Sequence, residues 1–269
     1  MKRFIAALAI AASLTMPLTA VADTQLTVVG SSALLPLVKQ SATEYQAAHS
    51  DVRVSVSGGG SFVGIAQAAS GQANIGDSDV VAPGNAGLSD HKVAVVGFGV
   101  VVNPSAGVTG LSAKQIRDIF SGRTTNWNQV GGRDQQIVVI NRPRSSGTRA
   151  VFKSTMMGVS KITESGLTED SSGQVVTTVA STPGTVTYVA LGYTKNKPVT
   201  VLRVNNVEPT ENNIRQGRYP IWSYEHMFTK GRATGAAADF IRFVQGNRNA
   251  IEKLGFIQIS SMKVRENNR

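Results

Sequence analysis

The chain has 269 residues, no cysteine and a formal net charge of +10, with 27 basic against 17 acidic residues. This length suffices for one large domain or for two lobes of ordinary size, and no disulfide can stabilise them. The basic residues form neither a dense block nor an amphipathic helix. This disfavours nucleic acid and membrane surfaces as partners. The net positive charge then serves either solubility or the attraction of small anions.

Residues 1–22 have the order of a secretory signal peptide. Lys2 and Arg3 give a positive start, Ile5–Leu14 is a short apolar run, and Ala20–Ala22 is a small-residue cleavage site. The run is too short to span a bilayer, and no later segment has the ~18 uninterrupted apolar residues of a transmembrane helix. Because no cysteine follows the cleavage site to carry a lipid, we expect a free periplasmic protein beginning at Asp23 rather than a lipoprotein.

The segment that follows alternates strand and helix patterns. Pro36 lies in the first turn of the first helix, where its missing N–H does no harm, and Gly71 ends the second helix. The predicted elements are a strand at Leu26–Val29, a helix whose inner face carries Leu34, Leu37, Val38, Ser41 and Tyr45, a strand at Val52–Val56, a helix from Ser61 and a strand at Ala73–Gly76. This alternation predicts a parallel α/β sheet.

The longest apolar run after the signal sequence is Val93–Val102. It is long for one strand of a small lobe, and a strand that passes from one lobe to another has that length. The later predicted elements are a helix capped by Ser112, a strand at Gln136–Ile140, a helix at Ser146–Met157, a strand at Val199–Val204, and helices at Gly235–Val244 and Asn249–Leu254. Two α/β lobes that share crossing strands fit this order better than two separate domains.

Three turns share one design, in which small hydroxyl and glycine residues lie between a predicted strand and a predicted helix. They are Gly30–Ala33, Ser57–Ser61 and Ser145–Thr148. A helix N-terminus offers unpaired N–H groups and a partial positive charge, hydroxyls add donors, and glycine allows close approach of the backbone. A serine at one such turn is usually only a helix cap. Three such turns in one chain predict an anion site.

Charged residues lie beside these turns. Arg142 precedes the third turn and can hold two oxygens of a tetrahedral anion, whereas Arg144 and Arg149 are interpreted as solvated surface residues. Asp77 and Asp79 follow a short strand. A carboxylate beside an anion site selects phosphate, which keeps a P–OH donor near neutral pH, over sulfate, which has none. We assign this role to Asp79 and interpret Asp77 as a turn residue.

Four segments together resemble, in order, the anion-contact segments of the periplasmic phosphate-binding proteins of ABC transport systems. They are G-S-S-A-L-L-P at Gly30–Pro36, G-G-G-S-F-V-G-I at Gly58–Ile65, I-G-D-S-D at Ile75–Asp79, and Arg142 followed by S-G-T at Ser146–Thr148. Leu111–Gly132 is also similar to the lobe-two helix and loop of that family, and the similarity ends with Tyr219–Ser223. Each motif alone is unspecific, and their combination in this order is specific.

The resemblance implies a two-lobed class II periplasmic-binding-protein fold of the α/β class, with a mixed sheet flanked by helices in each lobe and the ligand in the cleft between them. Lobe one would comprise residues 23–98 and 225–269, and lobe two residues 99–224. The crossing segments would lie near Gly97–Val101 and Tyr219–His226. The resemblance further implies inorganic phosphate as the ligand, the permease subunits of a transporter as partners, a monomer, and no cofactor, metal or nucleic acid.

The phosphate contacts of that family are hydroxyls, backbone groups, one guanidinium and one carboxylate that accepts the ligand's proton. In this sequence they fall on Ser31, Ser32, Ala33, Leu34, Ser61, Asp79, Arg142, Ser146, Gly147 and Thr148. Asp79 is the carboxylate and Arg142 the guanidinium. Some family members have threonine where this chain has Leu34, so the resemblance implies one hydroxyl fewer at the first turn.

An enzyme is the main alternative. No G-x-S-x-G nucleophile elbow occurs, and Ile65 stands where a phosphate-binding loop needs lysine. His49, His91 and His226 lack metal-ligand spacing. We therefore expect binding without catalysis. A secreted phosphatase, an adhesion or sensing protein on the same scaffold, and a receptor for sulfate, molybdate or another oxyanion stay open as alternatives.

Overall fold

The computed structural model describes residues 23–265. The predicted signal peptide at residues 1–22 lies outside the described residues. The helices are α1 (Leu35–Ala48), α2 (Ser61–Ser70), α3 (Ala113–Phe120), α4 (Gly147–Phe152), α5 (Ser172–Ser181), α6 (Glu211–Arg215), α7 (Gly235–Gly246) and α8 (Arg248–Lys253). The strands are β1 (Thr24–Gly30), β2 (Val52–Ser57), β3 (Ile75–Ser78), β4 (Leu88–Val102), β5 (Gly110–Leu111), β6 (Val138–Asn141), β7 (Leu167–Thr168), β8 (Thr185–Ala190), β9 (Thr200–Val201), β10 (Arg203–Val204) and β11 (Trp222–Lys230). Between residues 23 and 265, no helix has both the length and the apolar character needed to cross a membrane.

A nine-stranded mixed sheet runs through the molecule in the order β2-β1-β3-β11-β4-β8-β6-β7, with β9 paired to β4. Strand β1 is parallel to β2 and β3, and β6 is parallel to β7 and β8. The antiparallel strands β4 and β11 lie between these two parallel groups. We call the part built on β1, β2 and β3 lobe one and the part built on β6, β7 and β8 lobe two. The predicted α/β class with a mixed sheet is confirmed.

Strand β4 belongs to both lobes. Its residues Leu88–Gly97 pair with β11, and its residues Phe98–Val102 pair with β8. A crossing strand was predicted at Val93–Val102, whereas the strand begins at Leu88. The prediction missed its first part because the four residues before Val93 are polar and give no hydrophobic signal. The lobe boundaries at residues 98/99 and 224/225 stay predictions.

Some predicted elements differ from the structure. The segment Val199–Val204 is not one strand, because the buried Leu202 separates β9, which pairs with β4, from β10, which pairs with β5. The third strand lies later than Ala73–Gly76, since pairing with β1 and β11 draws Asp77 and Ser78 into the sheet. Helix α5 and the fully buried strand β8 were not predicted.

The fold brings the predicted site residues to one edge of the sheet. The parallel strands β1, β3 and β6 each end one residue before a predicted site residue, and Ser31, Asp79 and Arg142 follow them directly. Ligands of open α/β sheets bind at the carboxyl ends of the strands. The sheet therefore places these three side chains where a ligand is expected.

Candidate anion-binding site

The first turn, between β1 and α1, wraps its backbone around the hydroxyl of Ser31. The N–H groups of Ala33 and Leu34 donate to Ser31 Oγ over 3.0 and 3.2 Å. The Ser31 hydroxyl donates to Oδ1 of Asp79. These amides lie at the N-terminal end of α1, where N–H groups have no partner within the helix and favour an anion. The turn thus gathers two amides and one hydroxyl beside a carboxylate.

The glycine-rich turn, between β2 and α2, meets lobe two directly. Gly60 has a φ of +95°, which a residue with a Cβ rarely adopts, and a Cβ there would overlap the carbonyl group of Ser145. The N–H of Phe62 donates to the Ser145 carbonyl oxygen over 3.2 Å. Ser61 Oγ accepts from the N–H of Asp79 over 2.9 Å. Glycine at position 60 is therefore required by the close contact of the two lobes.

Asp79 is the residue on which both lobes converge. Its buried carboxylate accepts hydrogen bonds from Ser31 of lobe one and from Thr148 Oγ1 of lobe two, the latter over 2.7 Å. Burial raises the pKa of Asp79, whereas these two bonds, the charge of Arg142 and a hydrogen bond with Glu225 act in the opposite direction. The site therefore holds one buried carboxylate that receives donors from both lobes.

Arg142 is a buried cation at the end of β6, with 1% of its surface exposed. Its Nε donates to the carbonyl of Glu169 and its Nη2 to the carbonyl of Asp170, both over 3.0 Å. Nη2 also donates to Ser32 Oγ of lobe one over 3.0 Å. Burial lowers the pKa of Arg142 and the charge of Asp79 raises it, yet an arginine stays protonated in proteins. Since these acceptors are all neutral oxygens, the buried charge favours an anion beside it.

The third turn brings lobe two into van der Waals contact with lobe one. A Cβ on Gly147 would lie 2.7 Å from the Cβ of Ser61 and 2.9 Å from the Cβ of Asp79. Ser146 and Thr148, on either side of Gly147, are buried. The structure therefore brings the predicted residues of all three turns to one place, together with Asp79 and Arg142. What these residues bind stays a prediction.

Two residues at this place were not predicted from the sequence. The N–H of Ser172 donates to Ser32 Oγ over 3.2 Å, and the hydroxyl of Tyr193 donates to the carbonyl oxygen of Ser32 over 2.6 Å. Ser171–Gly173, at the start of α5, has the same hydroxyl-and-glycine pattern as the three predicted turns, so the sequence carried a signal for Ser172. Tyr193 had no such signal, since only the tertiary fold brings it to Ser32.

The interpretation of Arg149 as a solvated surface residue is wrong. Only 13% of its side chain is exposed, and its Nη1 donates to the carbonyl oxygen of Arg142 over 2.9 Å. Its Nη2 pairs with Glu164 over 3.1 Å. Arg144, with 91% of its side chain exposed, does lie at the surface. Arg149 therefore supports the backbone that carries Arg142.

Asp77 was interpreted as a turn residue, and the structure contradicts this. Asp77 lies on β3, fully buried, on the same face of the strand as Ile75. Within residues 23–265, neither of its carboxylate oxygens has a hydrogen-bond partner. Burial raises its pKa well above the usual range, and the negative charge of Asp79 raises it further. Burial and the neighbouring charge therefore both disfavour the ionised form of Asp77.

Asp77→Asn should make the protein more stable at alkaline pH. The raised pKa means that the folded chain holds a proton which the unfolded chain, with a pKa of about 4, releases. Asp77 therefore lowers the free energy of unfolding progressively as the pH rises above about 4, by up to about 1.4 kcal/mol per pH unit. At pH 8 the free energy of unfolding of the variant should exceed that of the parent by at least ~1 kcal/mol. At pH 4 this difference should disappear.

Urea unfolding followed by tryptophan emission at both pH values measures this difference. Asp51→Asn, which makes the same change at an exposed aspartate, is the control. A parent and an Asp77→Asn variant with parallel pH profiles would show that Asp77 is ionised in the folded chain.

Comparisons of this chain with family models, with individual sequences and with solved structures agree. A family model described as a PBP superfamily domain matches residues 18–248. The chain is 40% identical to the phosphate-binding protein PstS of Bacillus subtilis (strain 168) over 251 residues, covering 90% of this chain and 83% of that protein.

Two solved structures extend the comparison to the fold. A substrate-binding protein from Clostridium perfringens, assigned to a phosphate ABC transporter and crystallised with bound phosphate, superposes with a TM-score of 0.83 at 26% identity, covering 88% of this chain and all (100%) of that one. An ABC-type phosphate transport receptor from Vibrio cholerae gives a TM-score of 0.72 at 29% identity, covering 86% and 99%. The predicted two-lobed fold is confirmed.

Proposed function

The chain belongs to the PBP superfamily and, within it, to the PstS phosphate-binding proteins, and from this membership we propose that it binds inorganic phosphate between its lobes and delivers it to the permease subunits of an ABC transporter. Binding involves no covalent step, so the protein is a receptor and not an enzyme. It acts as a monomer in the periplasm, after export directed by residues 1–22.

The buried guanidinium of Arg142 is the observation that carries this proposal. It lies at the junction of the lobes, its hydrogen-bond acceptors at Ser32, Glu169 and Asp170 are neutral, and the bond to Ser32 joins it to the first turn. A tetrahedral anion between the lobes would compensate its charge and receive donors from both sides. The hydroxyls of Ser31 and Thr148 can rotate from Asp79 to the ligand, because a hydroxyl donates in whichever direction its C–O bond is turned.

Asp79 favours the binding of phosphate over the binding of a fully ionised anion. A carboxylate in the same cleft as Arg142 repels sulfate, whereas the P–OH of phosphate donates to it. Closure follows from the same contacts: an anion that touches both lobes only when they meet shifts the population toward the closed arrangement.

Titration of the purified chain with phosphate and, separately, with sulfate and molybdate tests the proposal. Isothermal calorimetry should give a saturable phosphate signal at one site and none for sulfate at the same concentrations. Preference for sulfate or molybdate would support the oxyanion alternative instead. Release of phosphate from a chromogenic phosphate ester would support the phosphatase alternative.

Asp79→Asn should narrow the preference for phosphate over sulfate. The amide removes the negative charge that repels sulfate, and its NH₂ group can donate to an ionised oxygen. We expect sulfate binding to become measurable and the ratio of the two dissociation constants to fall at least tenfold, about 1.4 kcal/mol. Competition calorimetry with both anions measures the ratio. A variant as selective as the parent would remove Asp79 from the selection of the ligand.

A further inference from the structure

Tyr193 contacts the site from lobe two without being one of the expected phosphate contacts. From its geometry we infer that Tyr193 is a positioning residue, whose hydroxyl holds the first turn of lobe one against lobe two and thereby stabilises the closed arrangement of the lobes. The effect on phosphate affinity rests on the proposed function, whereas the effect on lobe closure does not.

The Tyr193 side chain reaches from one lobe to the other. It lies in the 3₁₀ turn Leu191–Thr194 that directly follows β8 of lobe two. Its hydroxyl donates to the carbonyl oxygen of Ser32 in lobe one over 2.6 Å. Its ring packs against both the large apolar core and the smaller lobe-two cluster around Val101 and Val179. This packing of the ring holds the hydroxyl at the carbonyl oxygen of Ser32.

Ser32 is the counterpart of Tyr193 in lobe one, and its described side-chain bonds also go to lobe two. Its Oγ accepts from the N–H of Ser172 over 3.2 Å and from Nη2 of Arg142 over 3.0 Å. The hydroxyl of Tyr193 donates to the carbonyl oxygen of Ser32. The turn that supplies the amides of Ala33 and Leu34 is therefore held at Ser32 by three donors from the opposite lobe.

The hydroxyl remains a donor at every pH at which phosphate binding is measured. Burial raises the pKa of Tyr193 to about 12, although the positive charge of Arg142 opposes this. The bond should therefore contribute equally at pH 6 and pH 9. A hydrogen bond that exists only when the lobes touch slows their separation more than it speeds their approach, so its loss should raise the rate of phosphate release.

Tyr193→Phe removes the hydroxyl and keeps the ring, and it tests the inference in two ways. The dissociation constant for phosphate should rise about five- to tenfold, with most of the change in the release rate measured by stopped flow, equally at pH 6 and pH 9. Lobe closure is measured without phosphate. Because the chain has no cysteine, spin labels can be placed at Ser57→Cys and Lys161→Cys without background labelling. The distance distribution should shift toward larger separations in the Tyr193→Phe background.

Tyr219→Phe is the matched control. Its hydroxyl makes the same kind of bond, to the carbonyl of Phe98 over 3.0 Å, but this bond joins the two predicted crossing segments to each other and does not hold the first turn against lobe two. This variant should lose thermal stability and keep the affinity and label distances of the parent. Unchanged release rate and unchanged distances in Tyr193→Phe would overturn the inference. A parent that does not bind phosphate would overturn the proposed function instead, and the label distances would still decide the role of Tyr193.

Discussion

Arg142→Ala should weaken phosphate binding at least hundredfold. The guanidinium is buried where the lobes meet, so a charge-assisted bond to phosphate there would be shielded from water, and its removal should cost about 3 kcal/mol. The truncation also frees the carbonyl oxygens of Glu169 and Asp170 and the hydroxyl of Ser32, which lose their donor. Calorimetry with phosphate measures the loss, and thermal unfolding without phosphate reports the accompanying change in stability.

Arg144→Ala is the control for this experiment, because it removes the same charge two positions away. The Arg144 side chain is almost fully exposed, and its ion pair with Glu164 spans 3.8 Å at the surface. Exposed pairs of this kind contribute little, so the affinity should change less than twofold. Arg142→Lys should fall between the two, since an ammonium keeps the charge and loses the paired donors. Equal affinities of Arg142→Ala and the parent would mean that the anion does not lie beside Arg142.

The sequence located the turns of the candidate site where a residue directly adjoins an element with a clear pattern. Ser31, Ser61 and Arg142 each adjoin a strand or helix whose apolar spacing was visible, so the turn was located with the element. The same rule identifies Ser172 after the fact, since Ser171–Gly173 opens α5 with hydroxyls and glycine. It was missed because the preceding polar segment hid the start of that helix.

The remaining errors concern residues whose environment depends on distant parts of the chain. Asp77 has the local composition of a turn, and only its pairing with Gly30 on one side and Met227 on the other makes it a buried strand residue. Arg149 directly follows the segment Ser146–Thr148, whose composition is typical of an exposed turn. Its side chain nevertheless donates to the carbonyl of Arg142 and to the carboxylate of Glu164. Neither partner is visible in local spacing, since both contacts arise when the chain folds back.

The glycine at position 147 shows how sequence motif and tertiary contact combine. In the sequence it is one residue of S-G-T, and a glycine at the start of a helix has no strong requirement of its own. In the structure the absence of a Cβ allows lobe two to reach Ser61 and Asp79 of lobe one. Its role is therefore to allow contact between the lobes rather than to shape its own turn.

Gly147→Ala should consequently abolish high-affinity binding while leaving each lobe folded. The new Cβ would lie 2.7 Å from the Cβ of Ser61 and 2.9 Å from that of Asp79, and neither atom can move without its backbone. The lobes would be held apart, and because every anion contact that bridges them depends on their meeting, the affinity should fall at least about a hundredfold. Alanine is compatible with the helical backbone at the first residue of α4, so each lobe should stay folded.

Gly58→Ala is the matched control, because a Cβ at Gly58, in the glycine-rich turn, meets no atom within 4 Å. Its affinity should equal that of the parent. Calorimetry measures both variants, and the spin-label distance between Ser57→Cys and Lys161→Cys reports closure. If Gly147→Ala bound phosphate as tightly as the parent with the same closed distance, the lobes would not meet at Gly147 in the bound state. If it bound weakly yet closed fully on adding phosphate, the alanine would act on the ligand and not on the contact between the lobes. Weak binding together with open lobes is the result that the contact at Ser61 and Asp79 requires.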